Sequence, residues 1–176
     1  MTLLTMSEVS SAELAEALVG SKDAVLRPRM YKLLRIIDAN LNRTREGLRV
    51  CEDIARFALE NKNATESLKA IRHAVTDLIL KSKGISLARL LSGRDTSNDK
   101  TRFMDFYCKS GTDICDIFMS NIERVKESLR VLEECFKIID WKISQRYRKL
   151  RFDVYDIEQK VIKKAGFVSR NRQRYP

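Results

Sequence analysis

Proline and glycine are scarce in this chain of 176 residues, which has two Pro and six Gly. Both residues disfavour helix interiors, so their scarcity leaves long stretches free to be helical. No segment shows a convincing alternation of apolar and polar residues, the pattern of a half-buried strand. The composition, 44% hydrophobic and 33% charged, therefore predicts an all-α protein, and its length suits one domain with a sizeable core.

The sequence also lacks the patterns of membrane and secreted proteins. No apolar run approaches the roughly 20 residues that a membrane-spanning helix needs. The first residues lack the basic and then apolar plan of a signal peptide. The four cysteines show neither Cys-x-x-Cys nor Cys/His ligand spacing, which favours reduced packing residues over disulfides or metal ligands. We therefore expect a cytoplasmic protein with no membrane partner.

Standard catalytic and nucleotide-binding motifs are missing as well. There is no Walker A loop, no Gly-x-Gly-x-x-Gly after a strand, no Gly-x-Ser-x-Gly elbow and no His-Glu-x-x-His pair. A Ser-His-Asp triad could use only His73, the sole histidine. What remains is an excess of Arg together with Asp, Asn and Thr. This set suits phosphate, because the planar guanidinium matches phosphate oxygens with paired hydrogen bonds.

The net charge of +10 is concentrated at one end of the chain. Residues 142–176 hold eleven Lys or Arg against three Asp or Glu. A nucleic-acid-binding protein is one interpretation, and its affinity would collapse with added salt. The basic tail covers residues 167–176, and its stretch from 169 to 176 lacks the interleaved aromatic residues that single-strand binding uses. A basic surface also attracts small polyanions such as phosphate esters, and we expect these rather than nucleic acid.

A sequence repeat organises the chain. Residues 39–52 return 81 positions later as residues 120–133, with seven identical pairs: Asn40/Asn121, Arg43/Arg124, Glu46/Glu127, Leu48/Leu129, Arg49/Arg130, Val50/Val131 and Glu52/Glu133. Three further identical pairs are 79 positions apart: Arg72/Arg151, Val75/Val154 and Asp77/Asp156. Since each copy should build the same unit, the repeat predicts two helical hairpins packed as a four-helix bundle with pseudo-twofold symmetry.

Capping and breaking residues predict where the helices lie. Arg27-Pro28-Arg29 should break the chain, so residues 1–29 form an appended segment ahead of a helical domain over 30–166. Asn63 opens a capping box for the second helix. The predicted helices of the domain cover about 31–60, 63–84, 86–91, 112–139 and, after a break near Asp140, residues up to 165.

Polar residues occupy a predicted helix seam in both copies. A buried helix face is marked by residues that follow one another in alternating steps of four and three. This spacing is found for Ile36, Asn40, Arg43, Gly47, Val50 and Ile54. Asn121 and Arg124 take the same places in the second copy. A buried guanidinium needs a carboxylate or an anionic ligand beside it. Two alternatives are open: Glu46 and Glu127 neutralise the arginines internally, or the polar residues line a ligand pocket.

The segment between the hairpins, residues 85–111, has no counterpart in the repeat. It contains Arg94-Asp95-Thr96 and Asp99. In isolation these residues suit a turn in which Asp95 and Thr96 cap the next element, but a crossover loop above a bundle is also well placed to complete a site. Carboxylates and amides are oxygen ligands that suit Mg²⁺. A Mg²⁺-polyphosphate could be held by Arg43, Arg94, Arg124, Arg151, Asp95, Asp99 and Asn121.

Five segments together resemble a small helical family of thiamin biosynthesis. They are residues 35–53, 68–73, 94–96, 121–134 and 149–152, within a resemblance that covers about 31–163. Members of this family occur alone or fused ahead of a thiamin phosphate synthase barrel, and they act as a hydroxymethylpyrimidine phosphate kinase unrelated to the ribokinase-like enzyme. The resemblance implies ATP-dependent phosphorylation of 4-amino-5-hydroxymethyl-2-methylpyrimidine phosphate to the diphosphate, here by a stand-alone form.

The implied reaction fits the residues present. The acceptor oxygen belongs to a phosphate that is largely ionised at neutral pH, so no catalytic base is required, and catalysis is mostly positioning and charge stabilisation. Arg43, Arg124 and Arg94 would then bridge the two phosphates, while Asp95 and Asp99 hold Mg²⁺. The substrate-binding residues expected on this basis are Asn40, Asn121, Glu46, Glu127, Thr96, Arg72, His73 and Arg151. The pairs Arg49/Glu52 and Arg130/Glu133 should be structural ion pairs.

Two other expectations complete the interpretation. The same residues would also suit a non-catalytic helical module that binds a phosphorylated metabolite or a thiamin phosphate synthase partner. Long amphipathic helices make a homodimer plausible.

Overall fold

The computed structural model describes residues 11–82, 85, 87–92 and 113–165, with side chains mainly from residue 30 onward. Helix α1 covers Ser11–Asp53 and continues into a π-helical turn, Ile54–Ala58. The later helices are α2 (Lys62–Leu80), α3 (Leu87–Ser92), α4 (Ile114–Ile139) and α5 (Trp141–Ala165). All regular secondary structure in these residues is helical, which confirms the all-α prediction.

The boundaries follow from side chains that cap exposed backbone N–H groups. Asn61 caps α2, because its Oδ1 accepts from the Ala64 N–H at 3.3 Å, so the prediction of Asn63 was wrong by two residues. Asp113 caps α4 by accepting from the Asp116 N–H at 2.9 Å. Asp140 ends α4 and caps α5 by accepting from the Lys142 N–H at 2.9 Å, which confirms the expected break there.

Helix α1 is continuous through the predicted break at Arg27-Pro28-Arg29. Pro28 removes one backbone hydrogen bond and crowds the preceding turn. That loss is local, and the helix carries many further bonds on both sides. The prediction that the chain breaks here is therefore wrong.

The four long helices pack in a ring. Helix α1 contacts α2 and α4, α4 contacts α5, and α5 contacts α2, while the short α3 lies against α1. The buried side chains between them are mainly aliphatic, with Phe118, Phe136 and Tyr147 as the largest. No helix in the described part of the chain combines the length and the apolar character needed to cross a membrane.

The buried stripes of α1 and α4 repeat at the same 81-residue offset as the sequence. The matched buried residues are Ile37/Phe118, Leu41/Ile122, Thr44/Val125, Leu48/Leu129, Cys51/Leu132 and Ala55/Phe136. This correspondence is consistent with two related hairpins. The pseudo-twofold axis itself stays a prediction.

The predicted seam is displaced by one residue from the buried stripe. Asn40 and Gly47 are buried, but Ile36, Arg43 and Arg124 are exposed. The prediction that the two arginines lie in the core is therefore wrong. Successive residues are about 100° apart around a helix, so the predicted stripe is rotated by about that angle from the buried one. It therefore lies at the border of the α1–α4 contact, next to solvent.

Candidate functional site

Gly47 marks a close approach of α1 and α4. A Cβ atom at this position would lie 2.8 Å from Val125 Cγ2 and 3.1 Å from the Asn121 carbonyl oxygen. Further along, the Cys51 thiol lies 3.7 Å from the Phe118 carbonyl oxygen. Higher numbers on α1 thus meet lower numbers on α4, so the two helices run antiparallel. A larger residue than glycine would push them apart.

Arg43 and Arg124 lie beside this close approach. Arg43 is one turn before Gly47, and Arg124 lies three residues after Asn121 and directly before Val125. Both arginines are exposed. Within the described residues neither side chain forms an ion pair or a hydrogen bond, so two unpaired guanidinium groups lie at the outer side of the α1–α4 contact.

Glu46 and Glu127 do not neutralise these arginines. Both carboxylates are exposed, and neither takes part in an ion pair with any residue that the structure describes. The first of the two sequence alternatives, an internal Arg–Glu network at these positions, is thus not found in the described part of the molecule. The four charges face solvent, where they are available to an external partner.

Asn40 and Asn121 have matching hydrogen bonds. The Nδ2 group of Asn40 donates to the Ile36 carbonyl oxygen at 2.8 Å, and that of Asn121 donates to the Ile117 carbonyl oxygen at 2.8 Å. Each amide is thereby fixed against its own helix, one turn from an exposed arginine. Asn40 is buried and Asn121 is half-buried, so the second has better access to a ligand.

Arg72 belongs to an ion-pair cluster inside the first hairpin. Its Nε lies 2.9 Å from Glu52 Oε2, and Arg49 Nη1 lies 3.5 Å from Glu52 Oε1. Glu52 is only 5% exposed, so its charge depends on these partners. The cluster joins α1 to α2, which confirms the structural pairing expected for Arg49 and Glu52.

The second hairpin contains the equivalent cluster. Arg151 Nη2 lies 3.0 Å from Glu133 Oε2, and Arg130 Nη1 lies 2.8 Å from Glu133 Oε1. Glu133 is 3% exposed. Although burial opposes the charge, hydrogen bonds from Arg151 to Tyr155 and Glu133 raise the pKa of its guanidinium. Arg151, like Arg72, thus has a carboxylate partner within the hairpin, unlike Arg43 and Arg124.

Of the remaining predicted residues, the structure describes His73. His73 is exposed on α2, on a helix that packs against α1 and α5. Arg94, Asp95, Thr96 and Asp99 lie outside the described residues, so their predicted roles stay predictions. The residues that the structure does describe contain no cluster of three or more His, Cys, Asp or Glu that could hold a metal ion.

A buried lysine was missed from the sequence. Lys126 is 8% exposed, and its Nζ lies 2.8 Å from Glu158 Oε2 on α5 and 2.6 Å from Glu123 Oε1. Burial acts to lower the pKa of Lys126, but the hydrogen bonds to the two carboxylates raise it overall. The repeat could have flagged this position, because Arg45 is its counterpart in the first copy.

The Cys51 thiol is buried between α1 and α4. Burial, and then the negative charge of Glu158, raises the pKa of its thiol to about 12. The thiolate required for nucleophilic attack is therefore essentially absent at neutral pH. This agrees with the expectation that the cysteines are packing residues.

A family model described as ThiD2 matches residues 35–160. This chain belongs to the ThiD2 family. Similar proteins include a thiamine-phosphate synthase of Synechocystis sp., 39% identical over 72% of this chain and 35% of the relative. Another is a thiamine-phosphate synthase of Rhodopirellula baltica, 34% identical over 80% of this chain and 37% of the relative. No solved structure matches the chain.

The chain thus spans between a third and two fifths of the length of the curated relatives it matches. Their names and the ThiD2 family together support the involvement in thiamin biosynthesis that the sequence resemblance implied. The matched region contains both copies of the repeat, including all the exposed and paired arginines described above.

Proposed function

We propose that this ThiD2 chain transfers the γ-phosphoryl group of ATP to 4-amino-5-hydroxymethyl-2-methylpyrimidine phosphate, forming the diphosphate and ADP. The observation that carries the proposal is the pair Arg43 and Arg124. These arginines occupy identical repeat positions beside the α1–α4 contact, and they have no carboxylate partner within the described residues. Two such guanidinium groups suit a reaction that must bring two polyanions together.

The step requires little covalent help from the protein. An oxygen of the acceptor phosphate attacks the γ-phosphorus, and the bond from that phosphorus to the oxygen bridging to the β-phosphate breaks, so that ADP leaves. The acceptor oxygen is already largely ionised, which makes a general base unnecessary. Arg43 and Arg124 would lower the repulsion between the phosphates and stabilise the charge that spreads over the transferring group.

The supporting residues take two kinds of role in this proposal. Asn121, fixed by the Ile117 carbonyl and half-buried, would offer its amide oxygen to the pyrimidine or to Arg124. Arg94 would add a third positive charge, and Asp95 with Asp99 would hold the Mg²⁺ that accompanies ATP. Because Arg72 and Arg151 are paired with buried carboxylates, we assign them to holding the hairpins together instead of binding substrate.

The test is phosphorus NMR of the purified chain with ATP, Mg²⁺ and the pyrimidine phosphate. The wild type should consume ATP and form the pyrimidine diphosphate. Arg124→Ala should lower kcat/KM by roughly 100-fold or more, as expected when a charge-stabilising donor is removed. Arg45→Ala is the matched control, since Arg45 is exposed on α1 two residues from Arg43 and should retain activity. If Arg124→Ala stays within a few-fold of wild type, the assignment is wrong.

A second candidate function follows from the short span of the chain within relatives that are named thiamine-phosphate synthases. The chain would then be a non-catalytic module that binds the phosphorylated pyrimidine or a synthase. The same NMR experiment separates the two candidates. Binding of the pyrimidine phosphate by calorimetry, without ATP consumption, would support the module and rule out the kinase.

A further inference from the structure

The outer face of the α1–α4 pair carries large apolar side chains that are exposed to solvent. Ile36 on α1 is 46% exposed, while Ile117 and Ile138 on α4 are 44% and 73% exposed. Val50 and Val131 lie along the same stripes and are half-buried. Aliphatic groups of this size favour burial, by about 1.5–3 kcal/mol for a fully covered side chain.

These residues form one continuous face. The antiparallel course of the helices, fixed by the contacts of Gly47 and Cys51 with α4, places Ile36 and Ile138 towards one end and Ile117 towards the other. The stripe from Ile36 to Ile54 is about 27 Å long at 1.5 Å per residue. Two adjacent helices make it roughly 20 Å wide, so its flat outline covers roughly 540 Å², about two thirds of the roughly 800 Å² of accessible surface that each partner of a standard-size complex buries.

The centre of this face is charged and electrically balanced. Arg43 and Arg124 contribute two positive charges, and Glu46 and Glu127 contribute two negative charges, none of which has an ion-pair partner within the described residues. The whole chain has a net charge of +10, so two copies repel each other on average. This face is neutral at its centre, and it presents both signs of charge to an identical surface.

We propose that a second copy of this chain covers the outer face of the α1–α4 pair, forming a twofold-symmetric dimer. An isologous contact brings the same surface of both chains together. Each arginine can then meet a glutamate of the other copy, and the isoleucines at the two ends of the face exclude water. The proposed dimer would thus account for both the exposed apolar stripe and the unpaired charges with a single interface.

The dimer would also complete the proposed site, a step that rests on the proposed function. Arg43 and Arg124 of both copies would line one interface, so four guanidinium groups would surround the two phosphate-bearing substrates. Phosphates would compete with Glu46 and Glu127 for these guanidinium groups. Activity would then depend on dimerisation as well as on the arginines of one chain.

Sedimentation equilibrium at micromolar concentration tests the interface directly. The wild type should have twice the 20.4 kDa chain mass, and Ile117→Arg and Ile36→Arg should be monomers. Leu80→Arg is the matched control, because Leu80 is 64% exposed at the end of α2, away from the α1–α4 face, and should stay dimeric. Circular dichroism should show unchanged helix content in all three variants, because each replaced side chain is already exposed.

Each result separates the dimer from the proposed function. A monomeric wild type overturns the dimer and leaves the face for another occupant, such as the part of the longer relatives outside the match. A dimer that survives both isoleucine substitutions shows that another surface is used. Monomeric Ile117→Arg with full kinase activity would support the interface but overturn the shared site. A dimeric wild type without kinase activity would support the interface and refute the proposed function alone.

Discussion

Replacing Gly47 by alanine tests the close α1–α4 approach on which the site depends. Two terms of opposite sign compete. Alanine favours a helix over glycine by about 0.8–1 kcal/mol. Against this, the new Cβ would lie 2.8 Å from Val125 Cγ2 and 3.1 Å from the Asn121 carbonyl oxygen. Val125 is fully buried and branched at Cβ, so it has little freedom to move aside, and the second atom is backbone.

Overpacking of this kind typically costs about 1–3 kcal/mol, so we expect Gly47→Ala to destabilise the fold by about 1 kcal/mol after the helix preference is subtracted. For a domain of this size that lowers Tm by about 2–4 °C. Thermal and urea unfolding followed by circular dichroism measure both quantities.

A double-mutant cycle with Val125→Ala isolates the contact itself. Val125→Ala alone should destabilise by leaving a cavity, but it also makes room for the new methyl group. The double variant should therefore be more stable than the sum of the single effects predicts, by about 1 kcal/mol. If Gly47→Ala is instead stabilising by the full helix preference, or if the two changes are additive, the close approach is not as described.

Two further predictions concern the buried ion pairs. Glu133→Gln should destabilise by about 2 kcal/mol, because it leaves Arg151 and Arg130 without their shared carboxylate, and urea unfolding within experimental error of wild type would contradict this. The folded-state pKa of Lys126 is raised above its ordinary value, so its stabilising effect should be complete below the unfolded pKa near 10.5 and be lost as pH rises through the folded pKa. Stability measured from pH 9 upward should accordingly fall more in the wild type than in Lys126→Met. Parallel curves of stability against pH would show that the pKa of Lys126 is not raised by folding.

Local sequence signals were sufficient to predict most of the helical framework. The Asp140 break, the end of α4 at Ile139 and the helix that follows depend on caps and periodicity, which are properties of neighbouring residues. The cap at Asn61 was missed, because Asn63 two positions on begins an equally plausible capping box. The π-helical turn at Ile54–Ala58 was not predicted, and it contacts α2 and α4, which lie later in the chain.

The site was harder to predict than the fold, because a three-and-four spacing does not distinguish the centre of a contact from its border. Asn40, Gly47 and Arg43 satisfy the same spacing, yet the first two are buried and the third is exposed. The spacing gives the direction of a stripe along a helix. Only the position of the neighbouring helix decides which stripe is covered, and that position depends on contacts between residues 67 to 78 apart in the chain.

The partners of the charged residues separate structural positions from candidate functional ones. Each copy of the repeat contains Arg and Glu residues that form ion pairs and others that do not. Glu52 and Glu133 are buried and paired, which accounts for their presence by stability alone. Arg43 and Arg124 are identical across the copies as well, but they form no ion pair or hydrogen bond within the described structure, so its contacts do not explain them.

An external partner, whether phosphate or a second copy, is the physical reason that we propose for these two arginines. Arg124→Ala and Glu133→Gln should therefore behave in opposite ways. Arg124→Ala should unfold within about 0.5 kcal/mol of wild type, as exposed substitutions usually do, while losing activity. Glu133→Gln should lose stability, and at a temperature where it is fully folded it should keep most of its activity. If Arg124→Ala were the less stable of the two, Arg124 would be a structural residue and the proposed site would lose its main support.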